Sequence, residues 1–166
     1  MNLFILRHGE AGKFSGNDCV RPLIDAGVTD ITHVAEWLKD VGVKFDAIIT
    51  SPLKRAYQTA FIVSKIFNIE NNLINWEELR AGRNRIEFYQ KLSSEQLFNQ
   101  ESNVLVVGHE PYLSSLIGEI ISEANASSHI LLKKAGLAKI RITSQSAQTI
   151  HGELEWLLTP NIMKNI

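Results

Sequence analysis

Cysteine is nearly absent from this chain. Cys19 stands alone, which excludes an internal disulfide and any fold stapled by one. Nor is Cys19 a nucleophile of the tyrosine-phosphatase type, because the arginine such a loop needs six positions on is replaced by Asp25. No apolar run reaches 18 residues, so no segment reads as a membrane-spanning helix, and no basic-then-apolar leader opens the sequence. With a strand starting at Asn2, the expectation is a cytoplasmic protein without a membrane partner. Charge of one sign is also lacking. The formal net charge is −1, which gives no field to gather nucleic acid or an acidic membrane surface. G-x-x-x-x-G-K and G-x-G-x-x-G are both missing, which excludes a P-loop and a dinucleotide fingerprint. No helical His-x-x-x-His pair or clustered carboxylate set supplies metal ligands, so neither a metal nor another cofactor is expected. Repeats, low-complexity segments and linkers are absent too, and one domain over residues 1–166 is the expectation.

What remains is a globular balance: 45% hydrophobic and 21% charged residues over 166 positions, enough to bury a sizeable core. Short β-rich runs alternate with longer helical ones. Strands are expected at Asn2–Arg7, Asp46–Thr50, Leu73–Trp76 and Asn103–Val107, with two more at Leu137–Ile142 and Glu153–Leu158. "DAIIT" and "NVLVV" are dense in Ile and Val, as strands covered on both faces require. Ile31, Val34, Ala35 and Leu38 follow helical spacing, with Asp25 as the expected N-cap and Gly42 as the stop. "SPLKRAYQTAFIVSKIF" reads as a second helix, with Ser51 as N-cap and Pro52 at the first helical position. Further helices are expected over Ile86–Asn99 and from Pro111 through Ile121. This alternation implies a three-layer α/β/α sandwich on a mostly parallel sheet, and the closeness of the last two strands implies an antiparallel edge.

Three expected strands end in chemistry-bearing residues. The first ends at Arg7-His8-Gly9, the second at Thr50-Ser51-Pro52 with Arg55 just beyond, and the fourth at Gly108-His109-Glu110-Pro111. Carboxyl ends of parallel strands share one edge, where α/β proteins bind ligands. Arg7, His8, Arg55 and His109 would therefore meet in one crevice, and "DCVRPL" adds Arg21. Singly, each has an ordinary reading: a histidine after a strand is usually a hydrogen-bonded core or surface residue, and an arginine on a helix a solvated charge. Together, at consecutive strand ends near helix N-termini, they make an anion site.

"LRHGEA", "SPLKRAYQTA" and "VGHEP" resemble the three signatures of the histidine phosphatase superfamily, the phosphoglycerate-mutase-like phosphatases. The short chain, with "RPL" soon after the first motif and "WLLTPNIMK" near the end, resembles the SixA-type phosphohistidine phosphatases within it. The resemblance implies the phosphoglycerate-mutase-like fold and a metal-independent phosphatase. It also implies that His8 is the nucleophile, passing through a phosphohistidine intermediate that water hydrolyses. A neutral imidazole is competent for that near neutral pH if a hydrogen bond holds its other nitrogen, and Gly9 would let the chain turn closely enough to provide one. Arg7, Arg21 and Arg55 would clamp phosphate oxygens and His109 would donate to another, with nearby cations lowering its pKa. For the proton donor "WEELRAG" offers Glu78, with Glu77 beside it, and Asp18 is a second candidate. Glu10 is given no chemistry.

The stretch between Asn68 and Asn103 has room for one strand and one helix, with little left for a lid. An open site suits a phosphorylated protein, such as a phosphohistidine domain, better than a small sugar phosphate that needs enclosure. Two other readings stay open: a small-molecule phosphomonoesterase or mutase using the same His8, and a non-catalytic phosphate-binding module. Arg80, Arg83 and Arg85 in "LRAGRNR" form a basic cluster, either a rim for an acidic partner or larger phosphorylated ligand, or simply a solvated helix start. Cys19 reads as a small packed thiol and Tyr112 as packing. His33, His129 and His151 fall outside the motifs.

Overall fold

A computed structural model describes residues 1–14, 16–95, 99–122 and 130–165. Six strands form one sheet: β1 Asn2–Arg7, β2 Ala47–Thr50, β3 Leu73–Asn75, β4 Asn103–Gly108, β5 Leu137–Gln145 and β6 Ile150–Leu158. Their spatial order is β3-β2-β4-β1-β5-β6. The first four run parallel, β5 lies antiparallel to β1, and β6 antiparallel to β5. The expected parallel sheet with an antiparallel edge is what forms, though β5 and β6 are longer than the apolar pattern indicated. The extra residues of β5 are exposed and held by cross-strand pairing, such as Gln145 with Ile150, while Ile150 at the start of β6 is buried in the α3, α4 core.

Helices α1 Asp25–Asp40, α2 Lys54–Phe67, α3 Arg85–Ser94, α4 Tyr112–Ile121 and the short α5 Pro160–Met163 cover the sheet. Alternate side chains of β1 sort the two faces. Phe4 and Leu6 pack with Ile31, Leu38, Ala56, Ala60 and Met163 on the α1, α2, α5 side. Leu3 and Ile5 pack with Phe88, Leu92, Leu113 and Ile117 on the α3, α4 side. The sandwich therefore has three layers, and the period-two alternation of a buried strand feeds both cores.

Two helix starts differ from the expectation. Asp25 is the first helical residue of α1 and not its cap, since Ile24 holds the cap position without a side-chain bond. At α2 the cap position falls to Leu53, while the Ser51 hydroxyl accepts the Leu53 N–H at 3.4 Å and also meets His109 Nε2 at 2.8 Å. Gly42 does stop α1: at φ +81° it adopts a left-handed turn that a side chain would strain. The helix expected over Ile86–Asn99 ends at Ser94, with Glu95 extended after it, and residues 96–98 lie outside the described residues.

Candidate active site

β1 and β4 are neighbours in register, with Arg7 opposite Gly108. The chain leaves β1 toward α1 on one face and β4 toward α4 on the other. The sheet therefore opens a crevice between the two strand ends. His8 and His109 sit one residue beyond those paired positions, with ring centroids 5.2 Å apart.

His8 is only 6% exposed. Its Nδ1 lies 2.7 Å from the Gly9 carbonyl, which fixes the proton there and leaves the Nε2 lone pair outward. Arg55, 4% exposed, donates its Nε–H to that Nε2 at 3.1 Å. Burial holds the His8 imidazole down at about 4, with Arg55, Arg7 and Arg21 adding to the effect, so the ring is neutral near pH 7. Gly9 is required by a close approach: a Cβ there would meet the Gly27 carbonyl oxygen of α1 at 2.7 Å. Its own N–H donates to Thr59 Oγ1 at 3.2 Å, and that hydroxyl donates to the Arg55 carbonyl at 2.8 Å. One buried hydroxyl thus ties the turn after His8 to the helix that carries Arg55.

His109 is 2% exposed and pushed down to about 3, by burial first and by Arg55 and His8 after it. The nearby cations expected to lower it are there, but they rank behind desolvation. Its Nε2 lies 2.8 Å from Ser51 Oγ, while its buried Nδ1 has no partner among the described residues. Arg7 donates Nη1 to the Leu132 carbonyl at 2.9 Å, and its buried Nε is likewise unpartnered among them. Two unpaired polar atoms this deep are costly unless something arrives to meet them.

The remaining cations are held by Asp18. A 3₁₀ turn at Asp18–Val20, closed below by the Ala11–Leu23 bridge, turns the Asp18 side chain toward the crevice. Its carboxylate takes Arg55 Nη2 at 2.8 Å and Arg21 Nη2 at 2.9 Å, and its carbonyl takes Arg55 Nη1 at 2.9 Å. Arg21 also reaches the Gly12 carbonyl at 3.4 Å.

Arg7, His8, Arg21, Arg55, His109 and Asp18 are therefore brought together. Glu78 is engaged elsewhere: both its oxygens take Lys91 Nζ, at 3.0 and 2.9 Å, and none of its described contacts is to His8, Arg55 or His109. Glu77 pairs with Arg80 at 3.2 Å. Arg83 lies 3.8 Å from Glu87, and Arg85 pairs with Glu119, so each arginine of the basic cluster has its own carboxylate. Cys19 is exposed, contrary to the packed thiol expected, because the turn that directs Asp18 inward directs its neighbour out. Glu10 pairs with Lys134, Tyr112 packs in the core, His33 is exposed, His151 is half-buried, and His129 lies outside the described residues.

Sequence reasoning missed Ser51, Thr59 and Glu110. Ser51 was read as a helix cap, and Thr59 carried no strand-end signal. Glu110 follows His109 and carries a buried oxygen without a partner among the described residues. Burial pushes its carboxyl up, against the pull of Ser114 and Arg7. Among the described residues no group of three or more His, Cys, Asp or Glu is placed to hold a metal, and no helix is long and apolar enough to cross a membrane.

The model of the Histidine phosphatase superfamily (branch 1) matches residues 3–83. Phosphohistidine phosphatase SixA of Escherichia coli (strain K12) is 32% identical over 123 residues, covering 72% of this chain and 74% of its own. The Phosphohistidine phosphatase SixA homolog of Haemophilus influenzae (strain ATCC 51907 / DSM 11121 / KW20 / Rd) is 30% identical over 135 residues, covering 75% and 80%. Among solved structures, the protein histidine phosphatase SixA complexed with tungstate superposes with a TM-score of 0.80 at 26% identity, covering 98% of this chain and 99% of that one.

Proposed function

This chain belongs to the histidine phosphatase superfamily, and on that premise we propose that it is a single-domain phosphohistidine phosphatase, removing phosphoryl groups from a protein through a phospho-His8 intermediate. The observation that carries the reading is the state of His8: neutral, with Nδ1 fixed on the Gly9 carbonyl and the Nε2 lone pair facing the Arg55 guanidinium.

Attack needs Arg55 to release that lone pair. An arriving phosphoryl group offers its oxygens to Arg55 and Arg21 in place of the Asp18 carboxylate, and its greater negative charge favours the exchange. The unpartnered Arg7 Nε and His109 Nδ1 are donors for further oxygens. His8 Nε2 then forms a bond to phosphorus as the bond from phosphorus to the substrate nitrogen breaks. A substrate ring protonated on its other nitrogen departs as neutral imidazole, so no proton need reach the leaving atom. In the second half, water attacks phosphorus, the bond to His8 Nε2 breaks, and the water proton passes to Asp18. This reading gives the carboxylate role to Asp18, which touches the clamp, in preference to Glu78, which is held by Lys91. A metal has no part in it.

The substrate class rests on openness. Between α2 and β4 the described chain is spent on β3 and on α3, whose Phe88, Tyr89 and Leu92 face the core and not the crevice. With no described residue of this stretch over the crevice, the site suits a phosphoryl group presented by another protein. The similar structure with bound tungstate, a tetrahedral oxyanion, supports the anion site. A cytoplasmic setting and a role in phosphohistidine signalling belong to the same proposal.

The test is turnover by chelator-treated protein of a phosphohistidine-bearing protein and of an aryl phosphate, beside His8→Ala. Phosphohistidine turnover lost in the variant, with an acid-labile phosphoenzyme trapped only in wild type, is expected. Turnover of the aryl phosphate alone would select a small-molecule phosphatase, and phosphate binding without turnover a binding module.

A further inference from the structure

A groove of about 350 Å³ opens beside the crevice and shares Arg7 with it. It lies along the sheet edge on the side away from His109. β6 runs parallel to β1 across the intervening β5, so its end emerges at the same edge and supplies Thr159, Pro160 and Asn161. The opposite wall comes from the segment leading into β5, through Leu131 and Lys133.

That wall is fastened to the nucleophile strand. Arg7 Nη1 donates to the Leu132 carbonyl at 2.9 Å, Ala135 N–H to the His8 carbonyl at 3.2 Å, and Arg7 N–H to the Gly136 carbonyl at 3.0 Å. The turn is tight: Ala135 has φ +53°, and a Cβ on Gly136 would lie 2.6 Å from the Lys133 carbonyl oxygen. Leu132 is fully buried, which leaves its neighbour Leu131 pointing outward and 73% exposed. Leu131 is the most exposed large apolar side chain among the described residues, and it stands on the groove wall that Arg7 fastens through the Leu132 carbonyl. The charges are unequal as well. Lys134 has Glu10 and Asp30 has Lys164, but Lys133 has no carboxylate among the described residues. The groove therefore carries unbalanced positive charge next to an apolar side chain.

We propose that this groove docks the stretch of the substrate protein flanking its phosphohistidine, with an apolar side chain against the exposed Leu131 and a carboxylate on Lys133. The proposal rests on the phosphohistidine-protein reading above and deepens it. The groove's volume fits one or two side chains and not a second folded element, and Arg7 makes it continuous with the phosphate site. Acidic and apolar flanking residues complement it.

The experiment compares wild type, Leu131→Ser and Lys133→Glu on three substrates: a phosphotransfer domain phosphorylated on histidine with phosphoramidate, free phosphohistidine, and an aryl phosphate. Wild type is expected to favour the phosphorylated domain over free phosphohistidine in kcat/KM. Each variant should lose about tenfold on the domain while staying within about twofold on both small substrates. The Lys133→Glu variant should also lose the decline of kcat/KM with rising salt that wild type shows on the domain. Wild type treating domain and free phosphohistidine alike, or variants unchanged on the domain, would overturn the docking site and leave the phosphatase intact. Equal losses on all three substrates would also overturn it, assigning these residues to the common chemistry or to folding. So would sedimentation showing a dimer that Leu131→Ser dissociates, which would make the groove a self-contact. Failure of wild type on both phosphohistidine substrates, with aryl phosphate turned over, would instead sink the phosphohistidine reading and the docking site with it.

Discussion

Ser51 Oγ and His109 Nε2 lie 2.8 Å apart in the buried interior of the crevice, so the direction of this hydroxyl and the tautomer of His109 are coupled. Ser51 Oγ accepts the Leu53 N–H at 3.4 Å, and giving its own hydrogen to Nε2 is the arrangement that pairs this buried hydroxyl both as donor and as acceptor. The imidazole N–H is then Nδ1, the atom without a partner among the described residues. Ser51→Ala removes that bias without removing the donor. A fall in kcat of about tenfold is expected, less than the hundredfold or more typical of deleting an oxyanion donor. Nitrogen NMR of the His109 ring, compared between wild type and Ser51→Ala, checks it: the Nδ1–H form should dominate only with the serine.

Both histidines should stay neutral well into acid. With His8 held at about 4 and His109 at about 3, their ring resonances should not titrate between pH 8 and pH 5. Stability follows from the same shifts. The unfolded imidazoles take up protons near their ordinary value of 6.5 while the folded ones do not, so between 6.5 and 4 the unfolded state binds more protons. Their contribution is complete above pH 6.5 and is lost as the pH falls toward 4. Urea midpoints at pH 7 and pH 5 should differ in that direction, and the gap should narrow in His109→Gln.

Asp18 occupies the cations that phosphate needs. Asp18→Asn keeps the shape and removes the competing charge. Inorganic phosphate should bind several-fold tighter while kcat falls by about a hundredfold, the scale of losing an acid–base group. Glu78→Gln, whose partner is Lys91, should leave kcat within about twofold. Calorimetry with phosphate and steady-state kinetics on the same variants separate the two effects, and the reverse ranking would return the carboxylate role to Glu78.

Gly27 opposes two rules. Replacing a helical glycine by alanine ordinarily stabilises by about 1 kcal/mol. Here a Cβ would lie 2.1 Å from the Glu10 carbonyl oxygen, which is backbone and has no rotamer to yield. Overpacking of that kind costs roughly 1–3 kcal/mol. Gly27→Ala is expected to lose about 2 kcal/mol net in urea unfolding. It should also lower kcat, because Glu10 follows the Gly9 carbonyl that holds His8.

Much of this was legible in the chain. Strands covered on both faces announce themselves as Ile- and Val-rich runs, and their ends placed Arg7, His8, Arg55 and His109 at one edge. What stayed hidden depends on side chains choosing between partners. Ser51 reads equally well as a cap or as a ligand of His109, and only the arrival of β4 beside β2 decides. Asp18 gave no local sign that it would close on Arg55, 37 positions away. The Leu131 groove joins four separate segments, from β1, α1, the approach to β5 and the end of β6, and none of them is unusual alone.

The pairing of Arg7 with Gly108 makes the sheet itself the ruler of the site. His8 and His109 lie about a hundred positions apart along the chain, yet each stands a single step past a matched pair. A slip of one residue between β1 and β4 would turn the two rings to opposite faces. Any partly ordered form without that central pairing is therefore inert, however much helix it has formed. Recovery of activity after denaturation should thus time the zipping of β1 onto β4.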